Sequence, residues 1–419
     1  MLANGNSGIV AAVDIGTSKI CVIIGEADAS GNIMVLGHGE RASEDSVCKG
    51  QIEDMDKASA LFREALADAE ESSGVELSQE NIYVGITGNH ITSYKGVGSV
   101  LIPADEKVVS EEHINRALET AQVITYRQDE KIIDAVGGYF VIDGTHRCAN
   151  PLNQAAHKLE VFSHIICGNR NRIDNFLMPL RDLGLDNHIP VFSGIGSAFS
   201  LVSDEEHKQG VLFINMGAGT TEYLLFSGPG IVSSGVIAVG SDHIANDLSV
   251  ALELKFSPVC RELLQSFSKL QEQEHSPQFL QIPGAIGKRK IPYQTVEKVI
   301  DMRLRETFEF IKERLETEAV LPEIGAGIVI SGGAAMIPET AMILREVFRL
   351  PVRTAGKTLP DNFGGAVSNL GSPGYSTLLG LLHFGIVTSS KGSLITKIDR
   401  NLNTFVKTAL KKIVKSIKI

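Results

Sequence analysis

The 419-residue chain has no tryptophan, an aromatic content of 6% and no run of 18 consecutive apolar residues, so no membrane-spanning helix is expected. Cysteine is sparse as well. Cys21, Cys48, Cys148, Cys167 and Cys260 are odd in number, far apart and never in a CxxC pair. That pattern excludes a disulfide framework and a zinc site and predicts reduced thiols. The 11 histidines form no HxxxH or HExxH pair, which argues against metalloenzyme and Ser-His-Asp hydrolase readings. The opening MLANGNSGIVAAVDIG lacks a basic region before its apolar stretch, and Asp14 interrupts that stretch early. It reads as a strand and not a signal peptide, which predicts a cytoplasmic chain.

What is present is an ordinary globular composition, 43% hydrophobic and 21% charged, enough for two or more packed domains. The net charge of −11, from 39 Lys plus Arg against 50 Asp plus Glu, argues against a nucleic-acid binder. The charge is unevenly spread. Lys391, Lys397, Arg400, Lys407, Lys411, Lys412, Lys415 and Lys418 face a single negative, Asp399, in the last stretch. The tail is thus about +7 and the body about −18.

From Ile9 to Gly25 the pattern is strand, tight turn, strand, and Met34–Leu36 offers a third strand. Asp56–Glu71 has apolar residues at helical spacing and Asn81–Thr87 returns to strand. A small α+β insertion follows: strands near Gly98–Ile102, Gly138–Ile142 and Leu159–Ile165, and a helix Ser110–Gln122 with Ser110 as N-cap. Helix Arg172–Leu183, strand Ile189–Phe192 and a short helix near Ser197–Val202 come next. The opening grammar then repeats as GVLFI, NMGAGTT and EYLLF, which predicts two lobes of similar fold. Helices are expected at His243–Leu254, Val296–Leu315 and Glu339–Phe348, a loop over the Gln- and Pro-containing stretch between the first two, a strand at Gly327–Ile330 and a last buried helix in Pro373–Gly385.

Three glycine turns carry the chemistry. In Asp14-Ile15-Gly16-Thr17-Ser18-Lys19, glycine lets the backbone approach a ligand, Thr17, Ser18 and successive N–H groups suit phosphate oxygens, and Asp14 can hold Mg²⁺ through water. Asn215, Gly217, Ala218, Gly219, Thr220 and Thr221 form a second turn in the second lobe. Ser331-Gly332-Gly333-Ala334 follows a strand and precedes a helix, where backbone amides meet phosphate or a flat base. Each turn alone is mostly structural; the three in this order are specific for a nucleotide clamped between two lobes.

The order DIGTSK, xMGAGTTE, SGGAA and PGYSTLLG resembles the actin, Hsp70 and sugar-kinase superfamily, and over nearly the whole chain the FtsA family of bacterial cell-division proteins. Tyr139–Ile166 resembles that family's inserted segment, Val239–Leu252 its helix after the second turn, which implies Gly240 as a nucleotide-binding residue, and the basic C-terminal helix its membrane anchor. The resemblance implies an α/β, actin-like two-lobed ATPase fold with an inserted α+β subdomain and a C-terminal amphipathic helix. The expected units are 8–88 with 166–205, the insertion 89–165, 206–242 with 322–387, 243–321, a linker 388–403 and the helix 404–419. It also implies ATP and Mg²⁺ as ligands, and as partners the C-terminal peptide of the tubulin-like FtsZ, further copies of the chain, anionic lipids and other division proteins. The expected location is the cytoplasmic face of the membrane at the division site, without a transmembrane segment.

Two departures from the family pattern bear on turnover. Relatives carry Asp where this chain has Asn215, and Glu where it has Ser193. An amide keeps hydrogen bonding but cannot act as a base, so hydrolysis is expected to be very slow or absent. Arg261 and Leu264 stand where the family has Glu and Lys near the adenosine.

In the tail, Phe405, Val406, Ala409, Leu410, Ile413, Val414 and Ile417 fall on one helical stripe, flanked by lysines including Lys411. A 16-residue helix is about 24 Å long, and this one has the profile of a helix lying in a membrane surface. Docking on the acidic body or in a partner groove are the competing readings. In Val296–Leu315, Arg303 matches a recurrent family arginine, and with Lys290 upstream it suits an acidic-hydrophobic FtsZ peptide. An actin-like protein of type IV pilus assembly and a sugar or metabolite kinase are the alternatives. The first normally lacks the terminal helix and the second has no use for it.

Overall fold

The computed structural model describes residues 8–28, 30–78, 80–254, 260–264, 267, 278–283, 288–367 and 369–389. The amphipathic segment 404–419, with membrane candidates Phe405, Val406, Leu410, Lys411, Ile413, Val414 and Ile417, lies outside the described residues, as does all but the start of the linker.

In the first lobe, strands Ile9–Ile15, Lys19–Ala27 and Ile33–Ala42 form an antiparallel meander. Asn81–Ile86 joins parallel to the first of them, and His188–Phe192 parallel to that. Phe363–Gly365 closes the far edge of this six-stranded sheet. The second lobe repeats the plan: Val211–Met216, Thr221–Ser227 and Gly230–Ile237 are the meander, Gly327–Ser331 lies parallel to the first, and Val352–Thr354 next to it. The central strands read as near-continuous apolar runs because both of their faces are covered.

One helix joins the lobes. Ser376–Ser389 is buried around almost its whole circumference, as a helix apolar on all sides must be. Gly380 packs on Gly196, where an added Cβ would lie 1.9 Å from the Gly196 carbonyl oxygen. Tyr83 hydrogen-bonds Thr388 Oγ1 at 2.7 Å and packs edge-on to Phe384.

The insertion is a four-stranded sheet in the order Ile91–Leu101, Lys158–Asn169, Glu130–Ile142, His146–Cys148. Helix Glu111–Ala121 lies across it with its own small core of Val100, Ile114, Ala117, Leu159 and Val161. Ser110 caps the helix, accepting from the His113 N–H. Gly96 and Gly98 let helix and strand touch, since a Cβ at Gly98 would lie 1.9 Å from the Ala117 carbonyl oxygen. In the second lobe, Val296, Ile300, Leu304, Phe308, Ile311 and Leu315 of helix Tyr293–Thr317 are wholly buried.

Three elements differ from expectation. The stretch expected to loop contains a hairpin, Phe279–Pro283 with Lys288–Pro292; its facing Leu280 and Ile291 are buried in the second-lobe core, and the polar residues and prolines around them hide the ladder in the sequence. Gly230–Ile237 is a strand although its serines and glycine break the alternation of apolar residues. The short helix spans Ser193–Phe199 and not 197–202; Gly194 and Gly196, poor helix formers, are there because Leu224 and Leu381 press against them.

Candidate functional site

The two hairpin turns are built alike. The Gly16 N–H donates to the Lys19 carbonyl at 2.9 Å, and the Gly217 N–H to the Thr220 carbonyl at 2.9 Å. The turns face each other so closely that a Cβ on Gly219 would lie 2.3 Å from Thr17 Oγ1 and 2.9 Å from the Lys49 nitrogen. The third turn reaches the same place because Gly332 has φ +87°, where a side chain would strike the Met216 carbonyl at 2.4 Å.

Together they enclose a cavity of about 420 Å³. Of the residues picked out in sequence, Asp14, Gly16, Thr17, Ser18, Lys19, Asn215, Gly217, Ala218, Gly219, Thr220, Gly332, Gly333 and Ala334 line it, and so does Ser193. Two do not. Thr221 is buried with its hydroxyl donating to the Val239 carbonyl at 2.7 Å. Gly240 stands behind the second turn, where a Cβ would lie 2.3 Å from the Ala218 carbonyl, and so keeps that turn in place.

The structure adds residues that no turn motif marked. Leu264, Met336 and Ile337 supply an apolar wall near Gly332–Ala334, and Thr87, Glu222 and Thr377 line the cavity too. Glu222 is the most consequential. It stands opposite Asn215 in the ladder, is buried, and accepts from Thr87 Oγ1 (2.5 Å), Asn215 Nδ2 (2.8 Å) and Thr220 Oγ1 (2.9 Å). An acidic residue one step beyond NMGAGTT was the available signal.

Burial raises the Glu222 carboxyl above the usual range, against the pull of its three donors. Burial first and Glu222 second push Asp14 up to about 6, while Lys19 lowers it. The Lys19 ammonium is 3.3 Å from Glu40 and 3.1 Å above the Tyr375 ring. Ser193 Oγ, buried and facing the cavity, has no hydrogen-bond partner.

These features fit a magnesium nucleotide. Glycine turns expose N–H groups to phosphate, an apolar wall suits a flat base, carboxylates suit a hard cation, and an orphaned hydroxyl awaits a polar ligand. Of the pair expected near an adenosine, Leu264 lines the cavity. Arg261 instead lies on Asp242, at 2.9 and 3.0 Å, and 3.6 Å from Asp45.

The peptide candidates are apart from this cavity. Arg303 is held by both oxygens of Asp247, at 2.6 and 3.0 Å, and by Glu306, so an acidic partner would compete with an existing pair. Lys290 is exposed on the hairpin strand.

Residues 88–167 match the family model described as the SHS2 domain inserted in FtsA, and residues 212–380 the model described as cell division protein FtsA. Curated relatives include the cell division protein FtsA of Pseudomonas aeruginosa, 27% identical over 93% of this chain and 93% of that one. The FtsA of Neisseria meningitidis is 28% identical over 89% of each. Among solved structures, a chain of a PilM–PilN type IV pilus biogenesis complex superposes with a TM-score of 0.58 at 12% identity, covering 90% of this chain and 98% of that one. An MreB of Spiroplasma citri bound to AMPPNP gives 0.55 at 14%, covering 95% and 100%. The fold is α/β and actin-like with an inserted subdomain.

Proposed function

The chain belongs to the FtsA family of cell-division proteins, and on that footing we propose that it binds ATP with Mg²⁺ in the cleft, assembles with copies of itself and ties FtsZ filaments to the cytoplasmic face of the membrane. The observation that supports nucleotide binding most is the convergence of three glycine turns from two lobes on one 420 Å³ cavity. The N–H groups of residues 16–18 and 217–219, with the hydroxyls of Thr17 and Ser18, hold phosphate oxygens. Gly332, Gly333 and Ala334 with Leu264 and Ile337 take the adenosine side, and Asp14 reaches the metal through water. Bound Mg²⁺ would neutralise phosphate charge.

Turnover is very slow or absent in this reading. Asn215 presents an amide to Glu222, and Ser193 presents a hydroxyl where a base would stand. The five lysines of 404–419 each contribute about 1 kcal/mol at an anionic surface, which lets the tail bring an acidic body to lipid. Lys290 offers positive charge to the FtsZ peptide, and Arg303 adds its own by exchanging Asp247 for a peptide carboxylate; other division proteins are further partners.

Calorimetric titration of the full chain with ATP and Mg²⁺ tests the nucleotide reading. Gly219→Ala, whose Cβ meets Thr17 Oγ1, should weaken binding by about tenfold or more; undiminished binding would place nucleotide elsewhere. Vesicles containing anionic lipid should pellet the full chain and not a chain ending at residue 403, and equal pelleting would sink the membrane role. Binding of an FtsZ C-terminal peptide separates this reading from the pilus and kinase alternatives.

A further inference from the structure

The cleft floor holds more negative charge than Asp14 alone accounts for. Glu222, 2% exposed, lines the same cavity, and among the described residues no Lys or Arg forms an ion pair with either carboxylate within 4 Å. Lys19, the basic residue lining the cavity, is engaged by Glu40 and Tyr375. The Thr87 and Thr220 hydroxyls occupy one Glu222 oxygen and the Asn215 amide approaches the other, so the carboxylate is aimed while part of its second oxygen is left to bind. Ser193 Oγ, 2% exposed and unpartnered, faces the same space. The floor therefore gathers two acidic groups, lined with oxygen acceptors and held in fixed orientation, and a bound cation would favour their charged form. Two carboxylates fall short of a complete protein cage, and among the described residues no group of three or more His, Cys, Asp or Glu gathers to make one. A small hard cation that takes one or two carboxylates and completes its shell with phosphate oxygens and water matches that arrangement.

We propose that Glu222, together with Asp14, holds the divalent cation of a bound nucleotide, with Ser193 Oγ taking one of its waters and Asn215 serving to orient Glu222. This rests on the nucleotide reading of the cleft. The charge that the family resemblance leads one to expect at position 215 is then not lost but carried by the facing strand.

Two measurements on the full chain decide it. In the first, Mn²⁺ alone is titrated and followed by electron paramagnetic resonance. The unaltered chain should show a site that Glu222→Gln and Asp14→Asn each weaken by about tenfold or more. In the second, ATP affinity is compared in Mg²⁺ and in EDTA. The ratio should be about tenfold or more for the unaltered chain and near unity for Glu222→Gln, whose metal-free binding should be equal or tighter because a charge facing the phosphates is gone. The double variant Asn215→Asp/Glu222→Gln, which keeps one carboxylate and one amide in contact, should regain Mn²⁺ binding. An unchanged ratio in Glu222→Gln, or no recovery in the double variant, would reduce Glu222 to a packing role. If ATP binds under neither condition the nucleotide reading falls, and the Mn²⁺ titration still decides the cation site.

Discussion

Asn215 and Glu222 form a pair whose members cannot be changed independently. Asn215→Asp alone sets a carboxylate where an amide now donates at 2.8 Å. It removes a buried hydrogen bond and opposes like charges, an expected loss of about 2–4 kcal/mol in urea unfolding at neutral pH, which a second change, Glu222→Gln, should largely restore. Asp14 makes a separate prediction. Its carboxyl titrates near 6 in the folded protein, above its unfolded range, so the folded state holds the proton more tightly. Stability from this group is present at low pH and lost as pH rises through about 6. Asp14→Asn should therefore melt higher than the unaltered apo protein above pH 6, with the difference vanishing below about pH 4. Asp14, Thr17 and Gly219 were legible because turn chemistry is local. Glu222 had only its place one step beyond NMGAGTT as a signal, and its role comes from ladder register and burial.

Elements depend on close approaches that a sequence pattern marks only by glycine. Gly380→Ala would gain about 1 kcal/mol of helix propensity. The new Cβ, 1.9 Å from the Gly196 carbonyl oxygen, forces apart the helices Ser193–Phe199 and Ser376–Ser389. Overpacking of this kind costs about 1–3 kcal/mol or more, so the midpoint of urea unfolding should fall; a rise would mean the helix contact yields easily. Thr377 and Ser193 ride on these helices, so ATP affinity should fall with it. The helix cap at Ser110 was readable from spacing alone, and Ser110→Ala should cost about 0.5–2 kcal/mol. The hairpin Phe279–Pro283 with Lys288–Pro292 was not readable, since its strands are short and polar around the buried Leu280 and Ile291, and the Pro283-Gly284 turn signal suits a loop equally well. Helix Asp204–Gln209, capped by Ser203 with Glu206, was missed in the sequence, because six polar residues are too short for a periodicity to register.

Across the whole molecule, acid acts through buried histidines. Burial holds His90, His207 and His383 down to about 4 and His164 to about 3. Their folded-state pKa values lie below the unfolded value near 6.5, so unfolding takes up protons and stability falls as pH drops from about 6.5 toward 4. Asp14 and Glu222, both raised by burial, act in the opposite sense over part of that range, but the four histidines outnumber them. The melting temperature should decline steadily between pH 7 and 4.5; a flat profile would mean these histidines are not held neutral. His164 matters most to the assembly of parts, because its Nε2 meets Ser234 Oγ at 2.7 Å and ties the insertion to the second lobe.

By itself the sequence determined the two-lobed duplication, the inserted α+β unit, the three glycine turns and the uneven charge that sets a basic tail on an acidic body. Each depends on residues near one another along the chain: turn conformers, helical and strand periods, runs of like charge. Only the tertiary structure decided that Thr221 and Gly240 stand off the cavity, that Arg261 and Arg303 are already paired, and that Glu222 joins Asp14 on the cleft floor. Those outcomes turn on which strands pair, in what register, and how far water is excluded from a carboxylate, and distance along the chain carries none of that.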